Sequence, residues 1–374
     1  MARRAGARDY EDAGSTFHSV FLFELGLSLF MFLFMTYGCY YLFALMVDSE
    51  VVFTKSLEYV STRKWGVFFS YTGVALISLY TGIARPRFLI FDTFVLAVVN
   101  IVLDYVLIFG KWGFPQMGIA GAGLASTLAE VVAFVVFVVY MVFDKHNRIY
   151  RIFRKPTINW DLIREQYRIS IPLVIQPLIG LGSWFLFMGI VENMGEEALA
   201  ITILVQMVYL VLSIPSWGFA AGVSTLAGGF IGHKKRQAVI PIVWKTALLS
   251  LFVTLLISLP VVVFPEASLS PFFGADGLEL IRQAVPVLYV LLATLAVFSF
   301  GSVWYSGVSG VGASMYALRI QAYTLVGYLI YIYLLVEHFE ATLAWVWAAE
   351  LFYWMVVLLW SMKYLYSRRW FGML

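Results

Sequence analysis

The chain has 374 residues, of which 62% are hydrophobic and 13% charged, with a mean hydropathy of +0.87. A soluble domain averages about 25% charged residues; this chain cannot hide so much apolar surface from water, and a bilayer must be its solvent. The formal net charge of +3 says little globally; the single cysteine, Cys39, rules out an intrachain disulfide and makes a cysteine metal site implausible, and no nucleic-acid partner is expected.

A spanning helix needs roughly 20 apolar residues. In chain order, such stretches are predicted near 17–46, 64–84, 88–109 and 118–143, then near 169–191, 198–227, 239–264, 279–308, 319–336 and 342–366. The expected fold is therefore all-α and polytopic, with ten spans divided four and six. The first run is too long to be the core of a cleavable signal peptide. Basic loops alternate with acidic or mixed ones. The basic set is Arg3/Arg4/Arg8, Arg85/Arg87, the stretch from Lys145 to Arg168, His233–Arg236 and the tail with Lys363, Arg368 and Arg369. The intervening loops carry Asp48/Glu50/Glu58, Glu192/Glu196/Glu197, Glu266/Asp276 and Glu337/Glu340. The positive-inside rule then puts both termini in the cytoplasm, as expected for a multi-pass protein of the inner (plasma) membrane.

The one polar connection of any size is 144–168, with Lys145, Arg148, Arg151, Arg154, Lys155 and Arg164 around Pro156 and Trp160. It reads as a cytoplasmic tether, partly an interfacial helix, between an N-terminal lobe (1–143) and a C-terminal lobe (169–374). The lobes repeat one pattern. Gly6 and Gly82 (of Tyr80-Thr81-Gly82) lie 76 positions apart, and Gly232 and Gly307 (of Tyr305-Ser306-Gly307) lie 75 apart. Ala129-Glu130 and Ala349-Glu350 then fall inside the last apolar segment of each half. Before Gly232 the second half has about two further spans, whereas five residues precede Gly6, so the N-terminal lobe is expected to lack its first two helices. Internal repeats of this kind are typical of membrane transporters, with the substrate path between the halves.

Gly118, Gly121 and Gly123 have the order GxxGxG with no basic or hydroxyl partner following as a phosphate loop requires. Small residues at this spacing in an apolar helix serve close packing. No ATPase domain is present in the chain, which favours an ion-driven transporter over a primary pump.

The run Asn100-Ile-Val-Leu-Asp104-Tyr-Val-Leu-Ile-Phe-Gly110, followed by Gly118-Ile-Ala-Gly121-Ala-Gly-Leu-Ala-Ser126-Thr127, resembles the fifth and sixth helices of the multidrug and toxic compound extrusion (MATE) family. The opening Ala2-Arg-Arg-Ala-Gly-Ala-Arg-Asp-Tyr-Glu11 resembles that family's loop between helices two and three. Ile171-Pro172, Ser183-Trp184-Phe185 and Ile214-Pro215-Ser216-Trp217-Gly218-Phe219 resemble its seventh and eighth helices. The resemblance implies a twelve-helix, two-lobe, pseudo-symmetric fold, here ten helices, and exchange of amphiphilic, often cationic, compounds for Na⁺ or H⁺.

Asn100 and Asp104 are four apart and share a helix face. Asp104 and Ser126 both sit roughly 9–12 Å from the nearer end of their helices. A carboxylate, an amide and a hydroxyl at one depth suit Na⁺ or a proton. The resemblance implies the same: the matching asparagine, aspartate and threonine of the family form its N-lobe cation site, with Ser126 here in place of threonine. A further family aspartate belongs on helix one. Glu24, Glu130 and Glu350 are the other intramembrane acids recognised, and the equivalent positions of Glu130 and Glu350 suggest a shared role, structural or in the substrate cavity. The seventh helix offers Gln176 and Ser183 and the tenth Ser299, Ser302 and Ser306, with no mid-helix acid, which argues against a C-lobe cation site. Pro172, Pro177 and Pro215 are expected to bend their helices. Gln176, Gln206, Trp184, Tyr209, Trp217 and Tyr305 are candidates to meet a flat cationic ligand.

The leading expectation is secondary active efflux of amphiphilic or cationic compounds by alternating access, in a monomer without cofactor. A lipid-linked oligosaccharide flippase is the alternative; it wants cationic groups in its cavity, and the helix interiors read as almost free of Arg and Lys. An enzyme is not expected, since Asp104 is read as having no second membrane aspartate and no histidine lies mid-helix. An inactive truncated fragment is the remaining reading.

Overall fold

The computed structural model describes residues 2–7, 9–47, 49–83, 85, 87–150, 152, 160–273, 277–337 and 341–372. Among them the secondary structure is helical, with no strand. A bilayer leaves no water to satisfy backbone groups, and a helix satisfies them within one segment.

The first long helix, α1 (Tyr10–Leu33), runs through a π turn at Phe34–Gly38 into α2 (Cys39–Met46). Next come α3 (Glu50–Arg63), α4 (Val67–Gly82), α5 (Arg87–Phe109) and α6 (Gly118–Phe143). After them lie α7 (Trp160–Glu192), α8 (Glu196–Gly232), α9 (Val239–Val263), α10 (Pro265–Phe273), α11 (Leu278–Gly310), α12 (Ser314–Glu337) and α13 (Leu343–Tyr366). Among the described residues nine helical runs are long and apolar enough to cross a membrane, and the 16-residue Val67–Gly82 is a shorter apolar helix. This helix accounts for the span expected at 64–84. The polar stretch before it, read as an acidic loop, is the helix α3. Ser49 caps its first turn, the hydroxyl accepting from the Val52 amide at 3.5 Å. A break at Lys64–Gly66 separates α3 from α4. The helix expected from 169 begins at Trp160. Pro172, Pro177, Pro215, Pro260 and Pro286 all lie inside helices.

The chain forms two compact units, Met1–Ile163 and Arg164–Leu374. In the first, α6 is the hub, packing on α5, α3 and α4, while α1 packs on α4. Its core joins Phe17, Leu76, Leu79, Tyr80, Phe137 and Met141, and a smaller cluster joins Val106, Leu107 and Ala125. Two glycines set the α5–α6 hairpin. Gly110 turns the chain at φ +65°. Gly121 lets the helices touch: a Cβ there would lie 2.7 Å from the Leu107 carbonyl oxygen. In the second unit α11 is central, against α8, α13 and α9. One core cluster gathers Phe187, Leu204, Leu291, Phe298 and Trp347; another gathers Val243, Trp304, Leu365 and Trp370. Large apolar side chains such as Leu45, Ile90 and Phe252 remain exposed, as suits helices solvated by acyl chains.

Of the expected tether, Arg151, Arg154, Lys155 and Pro156 lie outside the described residues, as does Arg8 at the N-terminus. The start of the tether is pinned to the first unit. Asn147 Nδ2 donates to the Tyr80 hydroxyl and the Met141 carbonyl, both at 2.7 Å, and His18 Nε2 lies 2.6 Å from the Ile152 carbonyl oxygen.

Candidate functional site

The residues expected to form a cation cluster lie on the α5–α6 hairpin of the first unit. Asn100 Nδ2 donates to Ser126 Oγ at 3.4 Å. Asp104, one turn beyond Asn100, is half-buried and has no hydrogen-bond or ion-pair partner among the described residues. Amide and hydroxyl are therefore in contact, and the carboxylate beside them is uncommitted.

One turn from Ser126, at the middle of α6, Glu130 is not available for a ligand. Arg63 Nη1 and Nη2 grip its Oε2 and Oε1 at 2.8 and 2.6 Å, a bidentate pair that is shorter and stronger than a neutral hydrogen bond. Around it Thr62 Oγ1 donates to the Ala120 carbonyl at 3.0 Å and Thr127 Oγ1 to the Thr62 carbonyl at 3.1 Å. Arg63 ends α3 at the helix break. Beside it Lys64 Nζ lies 5.7 Å from the Phe32 ring and 5.9 Å from the Trp65 ring. Arg63 is part-buried at the helix break and neutralises Glu130, and among the described residues no Lys or Arg is fully buried.

The acids of the membrane helices also include one the sequence reading passed over. Asp92 lies inside α5, 8% exposed, with Oδ1 enclosed and unpartnered. Asp104 is therefore not the sole aspartate of the spans. The signal is its place on the inner stripe 88, 92, 96, 100 of α5. Glu24 of α1 is half-buried, with no partner among the described residues.

The second unit holds a cavity of about 470 Å³. Its walls come from α7 (Gln176, Ser183, Trp184), α8 (Tyr209, Trp217), α11 (Tyr305), α12 (Gln321, Tyr328) and α13 (Glu350, Tyr353, Trp354). Glu350 is the one charged side chain in that lining. The Tyr328 hydroxyl donates to its Oε1 at 2.9 Å. Gln176 Nε2 donates to the Ser314 carbonyl at 3.3 Å, Gln321 Nε2 to the Gln176 carbonyl at 2.9 Å, and the Tyr305 hydroxyl contacts Gln321 Oε1 at 3.2 Å. This chain of hydrogen bonds ties α7 to α12 and α11 along one wall. Trp184 stacks on Phe187 (5.1 Å), and Tyr353 meets Trp354 edge-on (5.3 Å), so the aromatic wall is held by its neighbours. Rings and one carboxylate in a cavity of this size suit a flat or bulky organic cation.

The expectations for this unit divide. Gln176, Trp184, Tyr209, Trp217, Tyr305 and Glu350 share the cavity, while Gln206, half-buried one turn before Tyr209, lies outside its lining. Glu130 and Glu350, equivalent in the repeat, do different things: one is neutralised by arginine, the other meets a tyrosine at a cavity wall. The repeat carries the carboxylate but not its partner.

Compared with known families, residues 1–106 and 172–336 match the MatE family model. The chain belongs to the MatE family. Among curated proteins, this MatE chain is 26% identical over 202 residues to a probable multidrug resistance protein NorM of Thermotoga maritima, covering 54% of the chain and 43% of that relative. It is 25% identical over 262 residues to the Mesorhizobium japonicum NorM, covering 69% and 54%. The MatE chain thus spans about half the length of the curated relatives it matches. Among solved structures, a MATE in complex with MaL6 aligns with a TM-score of 0.87 at 19% identity, covering 98% of this chain and 82% of the other. A MOP superfamily transporter from Pyrococcus furiosus aligns at 0.86 and 18% identity with the same coverage. The MatE fold, all-α and multi-pass in the membrane, is thereby shown, and the matched relatives are transporters rather than enzymes.

Proposed function

We propose that this chain carries the working parts of a secondary active exporter of amphiphilic organic cations. The observation that carries the reading is the second unit's cavity: aromatic walls, Glu350 as its one charged side chain, and no Lys or Arg in the lining. A flippase for pyrophosphate-linked sugars would want free cationic groups there. In the first unit Arg63 is already spent on Glu130. Export is driven by Na⁺ or H⁺ moving inward, exchanged at Asp104 with Asn100 and Ser126 beside it. An uncommitted intramembrane carboxylate next to an amide and a hydroxyl supports that role. The cycle is alternating access by a monomer in the inner membrane with both termini cytoplasmic, in keeping with the basic loops at both ends, and needs no cofactor.

The test is export of a lipophilic cationic dye from vesicles containing the whole protein, under an imposed proton or Na⁺ gradient. Asp104→Asn is expected to abolish gradient-driven export. Undiminished export by that variant removes Asp104 from the coupling role, and absence of export by the unaltered protein under both gradients removes the function itself.

A further inference from the structure

Asp92 has no role in the cluster or in the cavity, yet it is placed where a bystander carboxylate is costly. It lies on the inner face of α5, 92% enclosed, with Oδ1 unpartnered among the described residues. The hairpin register fixes what it faces. Phe88 stacks on Tyr140 with ring centroids 3.6 Å apart, and its ring lies 5.2 Å from that of Phe137. Asn100 reaches Ser126. Asp92, one turn past Phe88, therefore falls opposite the apolar stretch Ala133–Phe137 of α6.

The titratable side chains that α6 presents are Glu130, held by Arg63, and Tyr140, stacked on Phe88. In the adjoining core His18 of α1 is engaged with the Ile152 carbonyl. On α5 itself Arg87 is exposed, and Asp104 and Tyr105 lie three turns further on. Among the described residues no basic group is paired with Asp92. An isolated ionised carboxylate does not persist in such surroundings; it takes up a proton or a cation. A metal cation such as Na⁺ needs several oxygen ligands, and the Ala133–Phe137 stretch supplies no side-chain oxygen. A proton needs only the carboxylate.

We propose that Asp92 is a second proton-holding carboxylate of the first unit, passing the coupling proton between the Arg85/Arg87 end of α5 and the Asn100–Asp104–Ser126 cluster. The step moves a proton only: the acid O–H gives it up and the carboxylate takes up the next. Asp92 and Asp104 are about 18 Å apart along α5, so water carries the proton across the interval. The inference rests on the coupling role proposed for Asp104 and selects H⁺ over Na⁺.

Two measurements on the whole protein in phospholipid vesicles test it. Infrared spectroscopy at neutral pH is expected to show a protonated-carboxyl band that disappears in Asp92→Asn and in Asp92→Leu. The leucine variant removes an unpartnered polar group, so it is expected to fold at least as well as the parent. Dye export driven by a proton gradient is expected to slow about tenfold in Asp92→Asn, less than the roughly hundredfold loss of a fully committed proton-transfer group because water bypasses it, and to recover in Asp92→Glu. Wild-type export by Asp92→Asn alongside an inactive Asp104→Asn overturns the relay and leaves the coupling role of Asp104 standing. Loss of no carboxyl band in either Asp92 variant overturns the proton-holding role whatever the transport result, and export driven by Na⁺ alone overturns the relay. No export by the parent under either gradient sinks the transport reading, and the relay with it.

Discussion

Cutting the Arg63–Glu130 pair at one end should destabilise the first unit far more than cutting it at both. The pair makes two charge-assisted hydrogen bonds, at 2.6 and 2.8 Å, and the side chains are 22% and 17% exposed. Solvent screening is therefore limited, and the geometry is bidentate. Removing one member of a buried pair costs about 3–5 kcal/mol because the other charge is stranded; residual exposure places this pair toward the lower end, about 3 kcal/mol for Glu130→Met. Replacing both by apolar residues of similar size strands nothing and is often neutral or better, so Arg63→Met with Glu130→Met should lie within about 1 kcal/mol of the parent. The assay is thermal unfolding in detergent, read by tryptophan fluorescence, for the parent, both single variants and the double. The double-mutant cycle should give a coupling energy above about 1.5 kcal/mol, larger than exposed ion pairs show. A coupling below about 0.5 kcal/mol would put the pair in the class of surface bridges and remove the claim that it clamps α3 to α6. If the clamp holds, Ser126, one turn from Glu130, keeps its place beside Asn100.

Two further outcomes follow from the geometry. Burial works against the Asp144 charge, but the His146 amide (3.0 Å) and ring, the Tyr80 hydroxyl (3.2 Å) and the Arg85 guanidinium together hold the carboxyl below its usual range. Its stabilising effect is full above the ordinary aspartate value of about 3.9 and is lost as pH falls through the lower folded value. The thermal midpoint of the parent should therefore drop on acidification through that window, while Asp144→Asn shows a flatter profile; identical profiles would contradict the assignment. In the second unit, Glu350→Gln should weaken binding of a lipophilic phosphonium cation about tenfold, about 1.4 kcal/mol, and leave a neutral aromatic ligand of similar size unaffected. Equal losses for both ligands would mean that Glu350 shapes the cavity without meeting charge.

Much of the architecture was written in local composition. Apolar runs of spanning length located the helices, because a bilayer penalises any unsatisfied backbone and leaves a helix as the economical answer. Spacing of four put Asn100 and Asp104 on one face, and the short Gly-rich connection at Gly110 put Ser126 beside them. The glycines at 118, 121 and 123 were legible as packing residues, and Gly121 does bring α6 against the Leu107 backbone.

The pairings were not legible, and they changed the roles. Arg63 and Glu130 are 67 residues apart, and Arg63 read as the end of a polar loop until α3 brought it to the middle of α6. Asp92 is not singled out by the sequence, because burial depends on which face the neighbouring helix covers. The cavity draws its walls from α7, α8, α11, α12 and α13, and nothing in any one of those segments distinguishes a ring that lines it from a ring that faces lipid. Gln206 and Gln176 looked alike in sequence; one lines the cavity and the other does not. Hydropathy decided that this chain is a bundle of membrane helices, because the bilayer acts on each segment independently. Which acid is free, which is neutralised and which meets a cavity was decided by helix rotation and long-range packing, because the state of a buried charge is set by what lies within a few ångströms of it and not by its neighbours along the chain.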